Sequence, residues 1–269
     1  MPEAIELDDV TLVYEERDPD SKGSEGTVVF VHGLGGSSYS WWGQLAACEA
    51  AGHRAIAYDQ RGAGRSGKPG GPYSVELWAE DLERVLDRLK VGGAILVGHS
   101  VGCMVAERAA VRLGDRVRGL AMLGGALRWR PEAGPVFEER VKLARAGRMD
   151  EIARTVARTG LSEGFREANP ALHGLFCELI ASNDPNAYAD CSAATAAAQM
   201  AEPERVGCPA LAACGELDPV TPPAFAESIA EAIPAGRTAV VPGAAHWCQV
   251  ESPAAVNALL LDFLHEIAT

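Results

Sequence analysis

The 269-residue chain is short of cations, of paired cysteine spacings and of long apolar runs, and each shortage removes a class of function. Its 24 Lys and Arg stand against 37 Asp and Glu, and the net charge of −13 repels phosphate backbones, so no nucleic-acid partner is expected. No apolar stretch approaches the roughly eighteen residues that span a bilayer, so no membrane association is expected either. Met1-Pro2-Glu3-Ala4-Ile5-Glu6 is acidic and lacks the basic and apolar regions of a secretory signal, which points to a cytoplasmic protein. Cys48, Cys103, Cys177, Cys191, Cys208, Cys214 and Cys248 are odd in number and free of C-x-x-C spacing. They read as buried thiols in a reducing compartment, and no metal site is assigned to them. The glycines of Asp59-Gln60-Arg61-Gly62-Ala63-Gly64-Arg65-Ser66-Gly67 do not follow G-x-G-x-x-G, so this segment reads as a hydrogen-bonded turn rather than a dinucleotide loop.

What is present centres on Ala94-Ile95-Leu96-Val97-Gly98-His99-Ser100-Val101-Gly102-Cys103-Met104. An aliphatic run enters Gly98-His99-Ser100-Val101-Gly102, and apolar residues then return at helical spacing: strand, sharp turn, helix. A G-x-S-x-G turn of this kind strains the serine backbone and holds its hydroxyl above the sheet edge, while the glycines let strand and helix approach. The helix opening after Ser100 aims free N–H groups at the same place.

The rest of the chain alternates around that turn. Residues 5 to 15 read as two short strands, and Asp18-Pro19-Asp20-Ser21-Lys22-Gly23 as a turn. Thr27-Val28-Val29-Phe30-Val31 is a run buried on both faces, as in a parallel sheet. It ends in the glycine-rich His32-Gly33-Leu34-Gly35-Gly36, where the Leu34 N–H is a second oxyanion donor candidate beside that of Val101. His32 reads as a structural hydrogen-bonder. Trp41 and Trp42 read as core of the next helix, with Trp41 also a candidate for a pocket wall. Further strands are expected at 54–58, 117–123, 209–214 and 238–241. Ser74 caps a helix whose Trp78, Leu82, Val85, Leu86 and Leu89 share one face, and the last helix buries Val256, Leu259, Leu260, Phe263, Leu264 and Ile267. The expected fold is α/β, a mostly parallel sheet with helices on both faces and ligands bound beyond the carboxyl ends of the strands.

The alternation stops between 127 and 203, which reads as a helical cap over a core domain formed by 1–126 and 204–269. Residues 126 to 169 carry nine Lys and Arg against seven acids in an otherwise acidic chain. Either an anionic substrate lies under a basic lid, or the charges are solvated helix faces with i to i+4 ion pairs. Trp129 in this segment and Trp247 after the last strand are further pocket candidates.

Three residues then fall into one pattern. Ser100, Asp218 and His246 each stand at an expected strand end, in the order nucleophile, acid, base. A serine hydroxyl is too weak an acid to attack a carbonyl unaided, so His246 takes its proton while Asp218 fixes the imidazole. Glu216, two residues from Asp218, is the alternative acid. No metal or organic cofactor is required.

These residues resemble the α/β-hydrolase fold superfamily over essentially the whole chain. Arg145-Ala146-Gly147-Arg148-Met149, Asn186-Ala187-Tyr188-Ala189-Asp190-Cys191, Asp218-Pro219-Val220-Thr221-Pro222-Pro223 and Ala244-Ala245-His246 are similar to segments of 3-oxoadipate enol-lactonases. The resemblance implies a helical cap and hydrolysis of a small carboxylate-bearing lactone or ester. Two segments depart from it: Ala157-Arg158-Thr159-Gly160-Leu161 where an aromatic pair is expected, and Cys103 where glycine is expected. The same triad also serves carbon–carbon bond hydrolases and cofactor-free haloperoxidases, and a non-catalytic binding protein is a further alternative. Ser100 argues against epoxide hydrolases and haloalkane dehalogenases, which need an aspartate there. Monomer and homodimer are equally open.

Overall fold

The apolar runs of the sequence become the centre of a single eight-stranded sheet, seen in a computed structural model that describes residues 2–19 and 26–268. Its strands are β1 (Glu3–Glu6), β2 (Thr11–Arg17), β3 (Thr27–Val31), β4 (Arg54–Tyr58), β5 (Ala94–His99), β6 (Val117–Leu123), β7 (Ala210–Gly215) and β8 (Gly236–Val241). They lie in the order β1-β2-β4-β3-β5-β6-β7-β8. The pairs β1–β2 and β2–β4 are antiparallel and all others are parallel. The strands expected at 27–31, 54–58 and 117–123 have those bounds. Most of the turn expected at 18–23 lies outside the described residues.

The helices are α1 (Trp42–Ala50), α2 (Val75–Arg88), α3 (Val101–Leu113), α4 (Ala133–Arg145), α5 (Met149–Gly160), α6 (Glu163–Ala168), α7 (Pro170–Ala181), α8 (Pro185–Ala197), α9 (Pro223–Ala232), α10 (Cys248–Glu251) and α11 (Pro253–Ala268). Ser74 caps α2 as expected, its hydroxyl accepting the Leu77 N–H. Because successive strand residues point to opposite faces, each central strand feeds two cores. Val29, Val31, Ile56, Leu96, Leu120 and Met122 join α2, α3 and α9 on one side. Val28, Phe30, Ala55, Ile95, Val97 and Leu123 join α1 and α11 on the other. That double burial is why these strands read as unbroken apolar runs rather than as alternating ones.

The five helices α4 to α8 fill the interval between β6 and β7, with one bridge, Arg128 to Gln199, closing its base. Ile152, Val156, Phe176, Ile180 and Tyr188 form a cluster of their own that includes Trp247 from the far end of the chain. The last of the five is also tied to the main core, since Cys191 and Ala194 of α8 pack with Trp78 and Val101.

A buried carboxylate holds the loops beside the central strands. Asp59 is fully buried; its Oδ1 accepts the Ser38 N–H at 2.7 Å and its Oδ2 accepts the Arg65 N–H at 2.8 Å. Ser66 Oγ closes the turn by accepting the Val13 N–H. This is the hydrogen-bonded turn expected at 59–67. All seven cysteines are free, and all but Cys177 are buried. Trp42 departs from the reading as core: it is 56% exposed and meets Tyr39 edge-on, because the first turn of α1 faces outward there.

Replacing Asp59 by Ala leaves the Ser38 and Arg65 backbone N–H groups without their acceptor, while the Arg65 side chain keeps Glu15. A loss of about 2–4 kcal/mol is expected in a urea melt, since each unsatisfied buried group costs about 1–3 kcal/mol.

Candidate active site

The turn after β5 has the strained geometry that its glycines announce. Ser100 has φ 53° and ψ −121°, a conformation costing about 1–3 kcal/mol for a residue with a Cβ. It is held there by contacts too close for side chains. A Cβ on Gly102 would lie 2.3 Å from the Val31 carbonyl oxygen, and one on Gly98 would lie 2.5 Å from the Gly102 oxygen. The Ser100 N–H donates to Leu123 O at 2.9 Å, pinning the turn to β6, and α3 starts at the next residue.

Asp218 and His246 come together from the ends of β7 and β8. Asp218 sits in a turn of its own making: Oδ1 accepts the N–H groups of Val220 and Thr221 at 2.8 and 2.9 Å, and Oδ2 accepts the Thr221 hydroxyl at 2.8 Å. His246 Nδ1 donates to the same Oδ2 at 2.8 Å. Burial pushes the Asp218 carboxyl up, but the charge and hydrogen bond of His246, with the Thr221 groups, hold it well below the usual carboxylate range. The bond to Asp218 places the imidazole proton on Nδ1 and leaves Nε2 as an acceptor. Gly124, at φ 60°, lies against the ring, where a Cβ would come within 3.1 Å. Glu216 is engaged elsewhere, accepting the Gly243 N–H at 2.9 Å.

Ser100 and His246 line one cavity at the carboxyl edge of the sheet, with Leu34, Trp129 and Trp247 also on its wall. No hydrogen bond joins Ser100 Oγ to His246; such bonds commonly close only when a reacting group is in place. Neither Leu34 N–H nor Val101 N–H has an acceptor among the described residues. Trp129 is fixed by its Nε1–H to Thr195 O at 2.6 Å, and Trp247 by its backbone N–H to Gly160 O at 2.9 Å. Trp41 does not reach the cavity. It lies fully buried beneath the sheet, 4.9 Å from the ring of Phe30, since the side chains of that turn point into the α1–α11 core. Cys103 packs behind the turn, its thiol directed at Leu123 O. His32 bonds only structural partners: its Nε2 accepts the Gln60 N–H at 2.9 Å.

Sequence reasoning missed several residues here. Phe137, Arg140 and Thr159 reach the cavity from α4 and α5, and His99 from the end of β5. Thr221 was legible, because Asp followed three residues later by Thr is the spacing of a side-chain-closed turn.

A sequence profile of the alpha/beta hydrolase fold matches residues 26–162. The 3-oxoadipate enol-lactonase 2 of Acinetobacter baylyi is 30% identical over 237 residues, 86% of this chain and 85% of that protein. The crystal structure of the enol-lactonase from Burkholderia xenovorans LB400 superposes with a TM-score of 0.91 at 27% identity, covering 98% of this chain and all of that one. A thermophilic esterase from Thermogutta terrifontis, solved with malate bound, superposes with a TM-score of 0.89 at 25% identity over the whole of both chains.

Labelling by a serine-directed organophosphonate, read by intact mass, tests which acid serves His246. The adduct is expected to map to Ser100. Asp218→Asn is expected to slow labelling by about 10³-fold or more, as loss of the orienting carboxylate does in serine triads, and Glu216→Gln by less than about two-fold. The reverse order would make Glu216 the acid.

Proposed function

The chain belongs to the α/β-hydrolase fold family, and we propose that within it the protein is a serine hydrolase of small carboxylic esters or lactones, with residues 127–203 as its cap. The observation that carries this reading is the buried Asp218–His246 pair, 2.8 Å across, opening on the same cavity as a serine held at positive φ. Serine in that position has a base whose tautomer is fixed and whose free nitrogen is an acceptor.

The reaction follows from these groups. Ser100 Oγ adds to the substrate carbonyl while His246 Nε2 takes the hydroxyl proton, and Asp218 stabilises the imidazolium. The oxygen of the tetrahedral adduct accepts from the N–H groups of Leu34 and Val101, which have no other acceptor. Collapse breaks the bond to the leaving oxygen, which receives the proton from His246 and leaves an acyl-serine. Water then repeats the addition with His246 as base, releasing the acid and restoring Ser100. In a lactone the leaving oxygen stays tethered to the acyl group, so a single product leaves.

Arg140 favours a substrate that carries a carboxylate. Four of the nine basic residues in the cap are paired with acids on its outside: Lys142 with Glu139, Arg145 with Asp190, Arg148 with Glu151 and Arg154 with Asp150. Arg140 alone among them lines the cavity, its Nε is buried without a hydrogen-bond partner, and Phe137 stands 5.7 Å from its guanidinium carbon. Arg140 is half-buried, and a substrate carboxylate would accept from its unpartnered Nε–H as one of a pair of N–H donors. The likeness to enol-lactonases supports the same class of substrate.

Hydrolysis of a panel of p-nitrophenyl esters, neutral γ-lactones and carboxylate-bearing lactones tests both parts. Ser100→Ala is expected to abolish turnover of every substrate with the fold intact, and near-parental activity there would remove the mechanism. Arg140→Gln is expected to lower kcat/KM for the anionic lactones about ten- to a hundred-fold, the worth of a charge-assisted hydrogen bond of about 1.5–3 kcal/mol. Neutral esters should change less than about two-fold; an equal loss on both would make Arg140 a packing residue.

A further inference from the structure

His99 lies between three loops that the reaction needs in register. As the last residue of β5 it is bonded directly to Ser100 in the chain. Its Nε2 is 3.0 Å from the carbonyl oxygen of His246, so Nε2–H donates and joins the loop of the base to the strand of the nucleophile. Its Nδ1 faces the glycine-rich loop after β3, where a Cβ on Gly33 would lie 2.8 Å away. The ring stands 4.5 Å from that of Trp247 and 4.9 Å from that of His246.

We propose that His99 is a positioning residue: its Nε2–H, held on the strand that carries Ser100, sets where His246 stands relative to the nucleophile. An apolar side chain of the same size would fill the space. It would leave the His246 carbonyl without a donor and the loop free to shift by a fraction of an ångström, because the backbone of residue 246 is fixed from the sheet side by this bond. The ring is fully buried, and its Nδ1 has no hydrogen-bond partner. A buried polar atom left unpaired is a cost that leucine or phenylalanine would avoid. The imidazole is therefore present for what Nε2 does. Burial, and next the neighbouring His246 charge, bring the His99 imidazole down to about 3, so the ring stays neutral and adds no second cation beside His246 when that residue carries its proton. Trp247 extends the linkage, since its N–H donates to Gly160 O in the cap. The loop of the base is thus held from the sheet by His99 and from the cap by Gly160.

The inference rests on Ser100, Asp218 and His246 acting together, and two readouts keep the two ideas separable. Glutamine places an N–H where Nε2 stands, whereas asparagine places its amide at the position of Nδ1 and leucine supplies no donor. For ester hydrolysis, His99→Gln is expected to stay within about three-fold of the parent. His99→Asn and His99→Leu are expected to lose about ten- to a hundred-fold in kcat with KM changed less than two-fold, the scale of a small misplacement of a reacting group. The second readout needs no turnover: in a Ser100→Ala background, the proton resonance of His246 Nδ1, bonded to Asp218, is expected to persist with His99→Gln and to shift and broaden with His99→Asn. Thermal melts identify any variant that is unfolded, and the Gln and Asn pair, equal in chemistry and different in reach, decides the matter if leucine is not tolerated. Equal losses in Gln and Asn, or parental kcat in Asn and Leu with an unmoved resonance, would overturn the proposal. Failure of the triad itself would appear instead as parental activity in Ser100→Ala.

Discussion

The closeness of α3 to β3 governs the rest of the site. With no side chain on Gly102, the helix backbone comes up to the Val31 and His32 carbonyls, and any Cβ there would meet the Val31 oxygen at 2.3 Å. That approach forces the chain to reverse in two residues at Ser100, which can be done only at positive φ. The strain at Ser100 is held by the surrounding bonds, among them its N–H to Leu123 O and the packing of Met104 and Val105 into the main core. A serine in a relaxed βα loop would have neither its place on the cavity wall nor the helix N-terminus directly beside it.

The parallel register converts this local constraint into an assembly. β3, β5, β7 and β8 all run the same way, so the loops carrying Leu34, Ser100, Asp218 and His246 emerge along one edge although up to 212 residues separate them. Two apolar cores, one on each face, hold those strands at fixed spacing. The base loop carries a further restraint because it is held from both sides. Asp218 and His99 fix it from the sheet, while the N–H of Trp247 to Gly160 O and its ring against Phe176 fix it from α5 and α7.

Charge in the helices between β6 and β7 is resolved by pairing rather than by composition. The excess of basic residues in 126–169 admitted two readings in sequence, a lid over an anion or a solvated surface. The structure sorts the residues by what stands opposite each one. Arg148 and Arg154 form the short-range ion pairs expected of exposed helix faces. Arg140, on the same run of helices, faces the cavity with Phe137 instead. Helical spacing places Phe137, Arg140 and Val141 on neighbouring faces, but it cannot say which face meets α5 and which meets the sheet edge.

The sequence by itself determined the local order: the strands at 27–31, 54–58 and 117–123, the capped helix after Ser74, the strained turn at Ser100, and an aspartate and a histidine at later strand ends. Each of these follows from short-range physics, namely backbone sterics, side-chain period and turn chemistry, which a few neighbouring residues settle. Only the tertiary structure decided which side chains share the cavity. Three tryptophans looked alike as candidates, yet Trp129 and Trp247 line the wall while Trp41 lies under the sheet against Phe30. Arg140 and His99 gave no signal because their meaning lies in what stands opposite: a cavity without an acid in one case, the carbonyl of a residue 147 positions away in the other. Period and propensity fix the face of an element that is buried. What that face meets depends on the packing of whole elements against one another.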